Sequence, residues 1–592
     1  MTRVAQPATT FRPIALRVLE ERYLRRDPQG HVMETVDELF RRVARGVAAA
    51  EARYGGAAAV ARQTAAFYAA LSSLQFLPNT PTLMNAELPT GQLAACFVIP
   101  VLDDMRSILE GVRDMALIHQ TGGGTGFTFT HLRPRGDQVR TTGRVASGPL
   151  GFMRIFDTTT EVVKQGGRRR GANMGILNVD HPDILEFIKT KADLGMLTNF
   201  NLSVGVTDAF MAQVEADETY PLINPRTGQE VGSLEAREVF DLICHYALET
   251  GDPGLIFLDA VERDNPTPEL GRLEATNPCG EQPLLPYESC NLGSINLSCL
   301  ARAGGLDWEE LDRLTVLGVT FLDDVIDQSH YPLPQITEIT RANRKIGLGV
   351  IGLADMFIQL GVPYDSPEAL ELADKIMARI QATAVAQSQT LARERGPFPN
   401  FDRSRWHKEG HPPRRNATVT TVAPTGTISI IAGTSSGIEP LFALAYRRLA
   451  LEGEEFHEVH PLFLTKLREA GLKEEEWLPR VLTTGRVRPI RELPEELRRL
   501  FPTTFEVSVD YQVKMQAAFQ RHVENAVSKT INLAPDATIA EVAQAFRLAH
   551  QLGLKGMTVY RYGSKPGQVL SLPPQGLTLS HEFSEECRLC SV

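Results

Sequence analysis

The residues Asn277-Pro278-Cys279-Gly280-Glu281 place a thiol between a carboxamide and a carboxylate, each two positions away. If the segment is extended, side-chain alternation puts all three groups on one face. A carboxylate beside a thiol raises the thiol's pKa, so Cys279 is poorly placed as an ordinary thiolate nucleophile. One-electron chemistry at sulfur, with Glu281 acting on a substrate, suits the pattern better; a turn with an incidental cysteine is the alternative. A second segment, Thr425-Gly426-Thr427-Ile428-Ser429, offers hydroxyls and, at a helix start, free N–H groups suited to phosphate. A plain helix N-cap would use the same residues.

The seven cysteines are Cys96, Cys244, Cys279, Cys290, Cys299, Cys587 and Cys590, too few and too scattered for a disulfide scaffold in 592 residues. Cys244 and Cys299 lie in apolar runs and read as buried free thiols. The chain ends Cys587-Arg588-Leu589-Cys590-Ser591-Val592, a CxxC that follows a stretch rich in Gly, Pro, Ser and charge from Gly563 onward. Such a tail reads as mobile. The pair is half of a zinc site at most, with no second cysteine pair nearby. Thiol–disulfide exchange fits its position better.

These residues need elements to hold them. Residues 1–75 look helical, with an amphipathic stretch from Thr35 to Leu74. From Phe76 to about Pro440, Gly-punctuated apolar runs alternate with helical patterns, the rhythm of α/β units. One helix starts at the N-cap Ser366 with Pro367 in its first turn and stops at Gly396-Pro397. Another starts at the capping box Thr538–Glu541, ends near Gly553, and precedes a β-like run at Gly556–Tyr560. Residues 451–505 are charged and irregular and read as a surface excursion. Gly347–Gly352 matches the GxGxxG dinucleotide fingerprint. Arg341–Lys345 before it is no buried strand, so tight strand–helix packing is the better reading. Gly122–Gly126 lacks the Lys-Ser/Thr of a P-loop and reads as a flexible loop lining a pocket.

The net charge of -11 argues against a general nucleic-acid binder. No stretch approaches the roughly 18 apolar residues of a membrane helix, and the N-terminus lacks a signal-peptide core. A cytoplasmic protein is expected.

Four segments then belong together: Asn79-Thr80-Pro81-Thr82-Leu83-Met84-Asn85 leading to Gln92–Phe97; Gln165–Asn173 with Arg168, Arg169 and Arg170; Asn277–Gln282 followed by Ser289–Gly293; and Ala423–Ser429. In this order they resemble the catalytic subunit of ribonucleotide reductases, from about Phe76 to Gly563. The resemblance implies an α/β fold, a ten-stranded barrel of two five-stranded half-sheets with a central finger loop, plus a small N-terminal helical region. It divides the chain into helices (1–75), barrel (76–562) and a flexible tail with CxxC (563–592). Cys279 would be the thiyl radical that removes the ribose 3′ hydrogen, Glu281 the base at the 3′ hydroxyl, and Asn277 a hydrogen-bonding partner of the sugar. Cys96 and Cys290 would be the redox pair that ends as a disulfide, with Cys587 and Cys590 reducing it again. Thr80, Ala95, Pro424, Thr425, Gly426, Thr427, Ile428 and Ser429 would hold the substrate. Ala95 stands where many relatives have serine, so only its backbone can help.

The classes of this family differ in how the radical is made. The oxygen-dependent class relays it through paired tyrosines, and here Thr558 and Val559 occupy the matching positions. The anaerobic class needs a glycyl-radical motif, which the tail lacks. The resemblance therefore implies adenosylcobalamin as cofactor, without Asp-x-His-x-x-Gly and with no protein metal ligand. The runner-up is the large subunit of an oxygen-dependent enzyme; a catalytically dead nucleotide-binding regulator ranks lower. Effector nucleotides, deoxynucleotides or ATP, would bind around Asp103, Arg133, Lys164, Gln165, Arg169 and Arg170. A solvated basic turn is the alternative for the arginines. The short N-terminal region lacks a nucleotide-binding cone, so overall on/off control by ATP and dATP is expected to be missing. The expected partners are a ribonucleotide, with diphosphates favoured, and a thioredoxin-like reductant, with no nucleic acid or membrane. A homodimer is allowed.

Overall fold

The computed structural model describes residues 11–139, 144–163, 171–450, 454–565 and 570–571. Three helices open it, Pro13–Arg22, Val36–Ala48 and Ala52–Ser72. Thr35 starts the second with a capping box: its hydroxyl accepts from the Glu38 N–H, and the Glu38 carboxylate accepts from the Thr35 N–H at 2.8 Å. The apolar stripe Leu39, Phe40, Val43 and Val47 is fully buried in the core it shares with the barrel helix Trp308–Gln328. Buried ion pairs fasten the same junction. Arg395 meets Glu51 at 2.6 Å and Asp324 at 2.7 Å.

The barrel strands, in chain order, are β1 (Phe76–Pro78), β2 (Cys96–Val98), β3 (Gly124–Thr128), β4 (Asn173–Asn178), β5 (Phe200–Val206), β6 (Gly254–Phe257), β7 (Ser289–Asn296), β8 (Ile346–Ile351), β9 (Thr530–Leu533) and β10 (Gly556–Arg561). From β2 to β6 five strands run parallel, each beside the next. In the second half β7 runs parallel to β8, and β9 to β10. The segment Thr420–Val422 joins these two pairs, bridging Leu348 on one side and Val527 on the other. The halves meet antiparallel at both seams, β2 against β7 and β6 against β10. This is the expected pair of five-stranded half-sheets, with β1 added along β7. β4 and β8 are buried along almost their whole length, as parallel strands under helices require, whereas β5 alternates, with Asn201, Ser203 and Gly205 between Phe200, Leu202, Val204 and Val206.

Two glycine-rich runs are strands. Gly124–Thr128 is β3 rather than a flexible loop, although Gly123 and Gly124 do line a cavity. Its glycines serve close approach: a Cβ on Gly126 would lie 1.6 Å from the Thr276 carbonyl oxygen. Gly347–Gly352 is β8 and the turn into the helix Leu353–Leu360, and a Cβ on Gly349 would lie 2.2 Å from the Thr421 oxygen. Tight packing explains it, against the neighbouring segment Thr420–Val422 rather than against a helix as expected. The helices Pro367–Arg395, capped by Ser366, and Ile539–Gln551, capped by Thr538, also stand where expected.

Residues 454–505 are not irregular. They hold the strand Glu454–Val459 and helices Pro461–Glu469, Glu474–Thr484 and Glu495–Leu500. Phe463, Leu467, Trp477 and Val481 enter the core at helical spacing, beneath a charged outer face that hides them in the sequence.

Candidate active site

Cys279 stands at the tip of a hairpin whose arms, Ala275–Thr276 and Pro283–Leu284, pair antiparallel. The tip is a turn, not the extended piece that would place its side chains by alternation. Asn277 N–H donates to the Gln282 oxygen (3.2 Å), Gly280 N–H donates to the Asn277 oxygen (3.1 Å), and Gly280 takes φ 82°. The Asn277 carboxamide oxygen closes the turn by accepting from the Gln282 N–H at 3.0 Å. Asn277, Cys279 and Glu281 nonetheless face one cavity, because the turn curls around it.

Both half-sheets hold this finger. From the first, β3 presses Gly124 on Pro278 and Gly126 on Thr276, and Asn201 of β5 donates to the Pro278 oxygen at 2.8 Å. From the second, the Thr421 hydroxyl and the Ala526 N–H donate to the Glu281 carbonyl at 3.0 and 2.9 Å. Such bracing fixes the Cys279 sulfur within the barrel.

The cavity has a volume of about 220 Å³. Cys96 opens onto it, and its sulfur accepts from the Asn277 amide at 3.1 Å. Cys290 is the residue directly opposite Cys96 on β7, but it is buried behind the wall. Its thiol points to the carbonyls of Asn291 (3.4 Å) and Lys345 (3.6 Å). Burial pushes the Cys290 thiol well above its ordinary range, with Glu288 and Glu281 adding to the rise and Lys345 opposing it.

At the other end, Asn79 caps the helix Thr80–Asn85, its side-chain oxygen accepting from the Thr82 N–H at 3.0 Å. The buried Asn79 amide nitrogen has no protein partner and belongs to the cavity wall. Facing it, Thr425 adopts a left-handed φ of 57° and begins the helix Gly426–Ala432. Its hydroxyl accepts from the Gly437 N–H at 2.7 Å rather than capping its own helix. The first turn closes only at Ser429 N–H to the Thr425 oxygen, so the N–H groups of Gly426, Thr427 and Ile428 precede it. Thr80, Ala95, Pro424, Thr425, Gly426, Thr427 and Ile428 all line the cavity. Ser429 does not; its hydroxyl meets Ser436 at 2.9 Å.

Two further residues were not singled out as site residues in the sequence. Asn79 looked like part of a motif rather than a donor. Tyr23, from the N-terminal helices, hydrogen-bonds Thr80 at 2.9 Å across 57 positions of sequence.

On its far side the finger borders a second cavity of about 490 Å³, which Pro278, Cys279 and Gly280 also line. Its walls include Asn201, Met557, Thr558 and Val559, together with Lys529, whose buried ammonium meets Glu439 at 2.6 Å.

Of the residues expected at an effector site, Asp103 and Arg133 form an ion pair at 2.9 Å. Lys164, Gln165, Arg168, Arg169 and Arg170 lie outside the described residues, as do Cys587 and Cys590. Cys244 is fully buried, and Cys299 partly so. Among the described residues no cluster of His, Cys, Asp or Glu could hold a metal ion, and no helix is long and apolar enough to cross a membrane.

The family model for the ribonucleotide reductase barrel domain matches residues 94–560, and that for the ribonucleotide reductase all-alpha domain matches residues 9–91. The chain is 51% identical to a vitamin B12-dependent ribonucleoside-diphosphate reductase of Mycobacterium tuberculosis, over 97% of this chain and 81% of that one. It is 48% identical to a protein of the same name from Thermoplasma acidophilum, over 94% and 80%. Among solved structures, the class Id ribonucleotide reductase alpha subunit of Actinobacillus ureae shares the fold, with a TM-score of 0.78 at 23% identity over 94% of this chain and 99% of that one. With its barrel, its finger and its sequence relatives in agreement, this chain belongs to the ribonucleotide reductase family.

Proposed function

We propose that the chain reduces ribonucleoside diphosphates to 2′-deoxyribonucleotides by thiyl-radical chemistry, with adenosylcobalamin as the radical source, for DNA synthesis. One observation carries this reading: Cys279 borders both cavities, one lined by Cys96, Asn277 and Glu281, the other larger and lined by Thr558 and Val559, with Tyr560 beside them. Adenosylcobalamin, when bound, supplies a 5′-deoxyadenosyl radical by homolysis of its cobalt–carbon bond. The larger cavity fits that role, because Thr558 and Val559 leave open the volume that tyrosines would fill. Pro278, Asn201, Ser528 and the Lys529–Glu439 pair would hold the cofactor there.

The chain's own residues then account for the rest. The Cys279 thiol, having given up its hydrogen atom to the radical source, takes the ribose 3′ hydrogen and returns it to C3′ once the 2′ position is reduced. Glu281 accepts the 3′ hydroxyl proton. Asn277 orients the sugar while bonding Cys96. Cys96 and Cys290 supply two electrons and two protons as the 2′ hydroxyl leaves as water, and they end as a disulfide. Thr80, Asn79 and the N–H groups of Gly426–Ile428 hold the diphosphate. Cys587 and Cys590 renew the pair and are themselves reduced by a thioredoxin-like protein.

Effector nucleotides would sit at Asp103 and Arg133 with Lys164, Gln165, Arg169 and Arg170. Nearby, Leu102, Met105 and Leu109, at the start of the helix Met105–Gln120, and Ile155 and Val162, on the adjoining helix Gly148–Val162, are exposed. An apolar face of this kind supports a homodimer. The division into helices (1–75), barrel (76–562) and tail (563–592) accords with this scheme, and so does work in the cytoplasm.

The test is an assay of the purified full chain with a ribonucleoside diphosphate, adenosylcobalamin and dithiothreitol. Deoxynucleotide is expected without any second subunit. Turnover that ignores adenosylcobalamin and demands a metal-containing partner would support the oxygen-dependent reading instead. Cys279→Ser should give no product, since an alcohol O–H bond is too strong for hydrogen exchange, while calorimetry still registers nucleotide binding.

A further inference from the structure

Three neighbouring positions cross the seam of the barrel. Cys96 on β2 faces Cys290 on β7, and β8 runs parallel to β7 with Asn291 opposite Ile346. Lys345, one residue earlier, therefore flanks Cys290 on the side away from Cys96, and its carbonyl lies 3.6 Å from the Cys290 sulfur. Both residues are about 1% exposed. The Lys345 ammonium meets Glu288 at 2.6 Å. Glu288 lies two residues before Cys290 on the same chain segment, so the two share a face. The Glu288 carboxylate is itself fixed, accepting from the Leu285 N–H at 2.7 Å and the Asn343 amide at 2.5 Å.

A buried ion pair contributes little stability compared with apolar packing, because both charges lose water. This one stands beside a buried sulfur that changes charge in the reaction. The ammonium has three donors, and one hydrogen bond to Glu288 leaves it able to serve a second anion. Of the charged groups facing the Cys290 sulfur, Glu288 and Glu281 disfavour a thiolate, as burial does, and Lys345 favours it.

We propose that Lys345 supplies the positive charge that lets Cys290 leave as a thiolate when the Cys96–Cys290 disulfide is reduced. The inference rests on reading those two cysteines as the redox pair. An incoming thiolate attacks Cys96, the sulfur that opens onto the cavity, and forms a mixed disulfide. The Cys96–Cys290 bond breaks, and its electron pair departs on Cys290 beside the ammonium. A second thiol of the reductant loses its proton and displaces Cys96. Cys96 and Cys290 each take up one proton, so two electrons and two protons pass to the pair and the reductant becomes a disulfide. Lys345 acts through Cys290 and is a positioning residue for regeneration of the enzyme.

The test uses the full chain oxidised with diamide, then reduced with tris(2-carboxyethyl)phosphine from mildly acidic to mildly alkaline pH. The phosphine has no thiol of its own to titrate. Alkylation and mass spectrometry follow the loss of the Cys96–Cys290 disulfide. Lys345→Met combined with Glu288→Gln, which leaves no buried charge unpaired, should slow reduction about tenfold and make it depend more steeply on acid. Lys345→Arg should stay close to wild type. Glu288→Gln alone, which removes a carboxylate that disfavours the thiolate and frees the ammonium to face the sulfur, should speed reduction, and adding Lys345→Met should abolish that gain, an outcome that a purely structural lysine would not produce. An unaltered rate and pH profile in the double variant, or slower reduction in Glu288→Gln, would overturn the inference. The underlying reading has its own readout. If the wild-type chain forms no Cys96–Cys290 disulfide after one turnover without reductant, the pair assignment fails and this inference falls with it.

Discussion

The hydroxyls of Tyr23 and Thr80 lie 2.9 Å apart, tying the end of the first helix to the start of the helix that lines the smaller cavity. Tyr23 is buried, so the helical region has a direct hand in placing Thr80. A net hydrogen bond contributes about 0.5–1.5 kcal/mol. Tyr23→Phe should therefore raise KM for the diphosphate by roughly 2- to 10-fold with kcat little changed. Steady-state kinetics will decide it, and an unmoved KM would mean that Thr80 is held by its own helix alone.

Thr558 projects into the larger cavity, where the finger exposes Cys279. Thr558→Tyr should weaken adenosylcobalamin binding by at least about tenfold, because its ring occupies space that a preformed site needs. Equilibrium dialysis followed by cobalamin absorbance measures this without reference to turnover. Nucleotide binding, read by calorimetry, should be unchanged. Undiminished cobalamin binding would place the cofactor elsewhere.

At Gly126 there is no room for any side chain, since a Cβ would meet backbone oxygen at 1.6 Å. Gly126→Ala must push the finger away from β3, and overpacking of this sort costs about 1–3 kcal/mol or more. A clear drop in melting temperature is expected, together with loss of turnover as Cys279 shifts. A variant that melts and turns over like the wild type would show that the finger is free to move.

The tail prediction separates two reductants. Cys587→Ser with Cys590→Ser should lose thioredoxin-supported turnover and keep much of the dithiothreitol-supported turnover, because a small dithiol reaches the cavity that a protein cannot. Equal loss with both would give the tail a different task.

Contiguous chemistry was legible in the sequence. Asn277, Cys279 and Glu281 fall within five residues and meet in space, even though a turn and not an extended strand brings them together. The helix ends at Ser366 and Thr538 were legible because capping is local. What depends on distant partners was not. Nothing near Tyr23 points to Thr80, and nothing near Lys345 points to Glu288, 57 residues earlier. Glycine was the other obstacle. In β3 it signals a loop by propensity, yet it is there because the finger's backbone passes too close for anything larger. At Pro461–Leu500 the charged outer face dominated composition and masked a regular buried stripe.

Cys96 and Cys290 belong to different half-sheets and face each other across one of the two seams where those halves join. If the two are the proposed redox pair, their oxidation would staple the halves together and reduction would release them. A covalent bridge at such a joint restricts local opening, as cross-links restrict any chain. The enzyme would stiffen once in every cycle, at the moment its product is finished, and breathe again only when electrons arrive. Amide exchange along β2 and the start of β7 then becomes a clock hand for the oxidation state, slow in the spent form and faster in the recharged one.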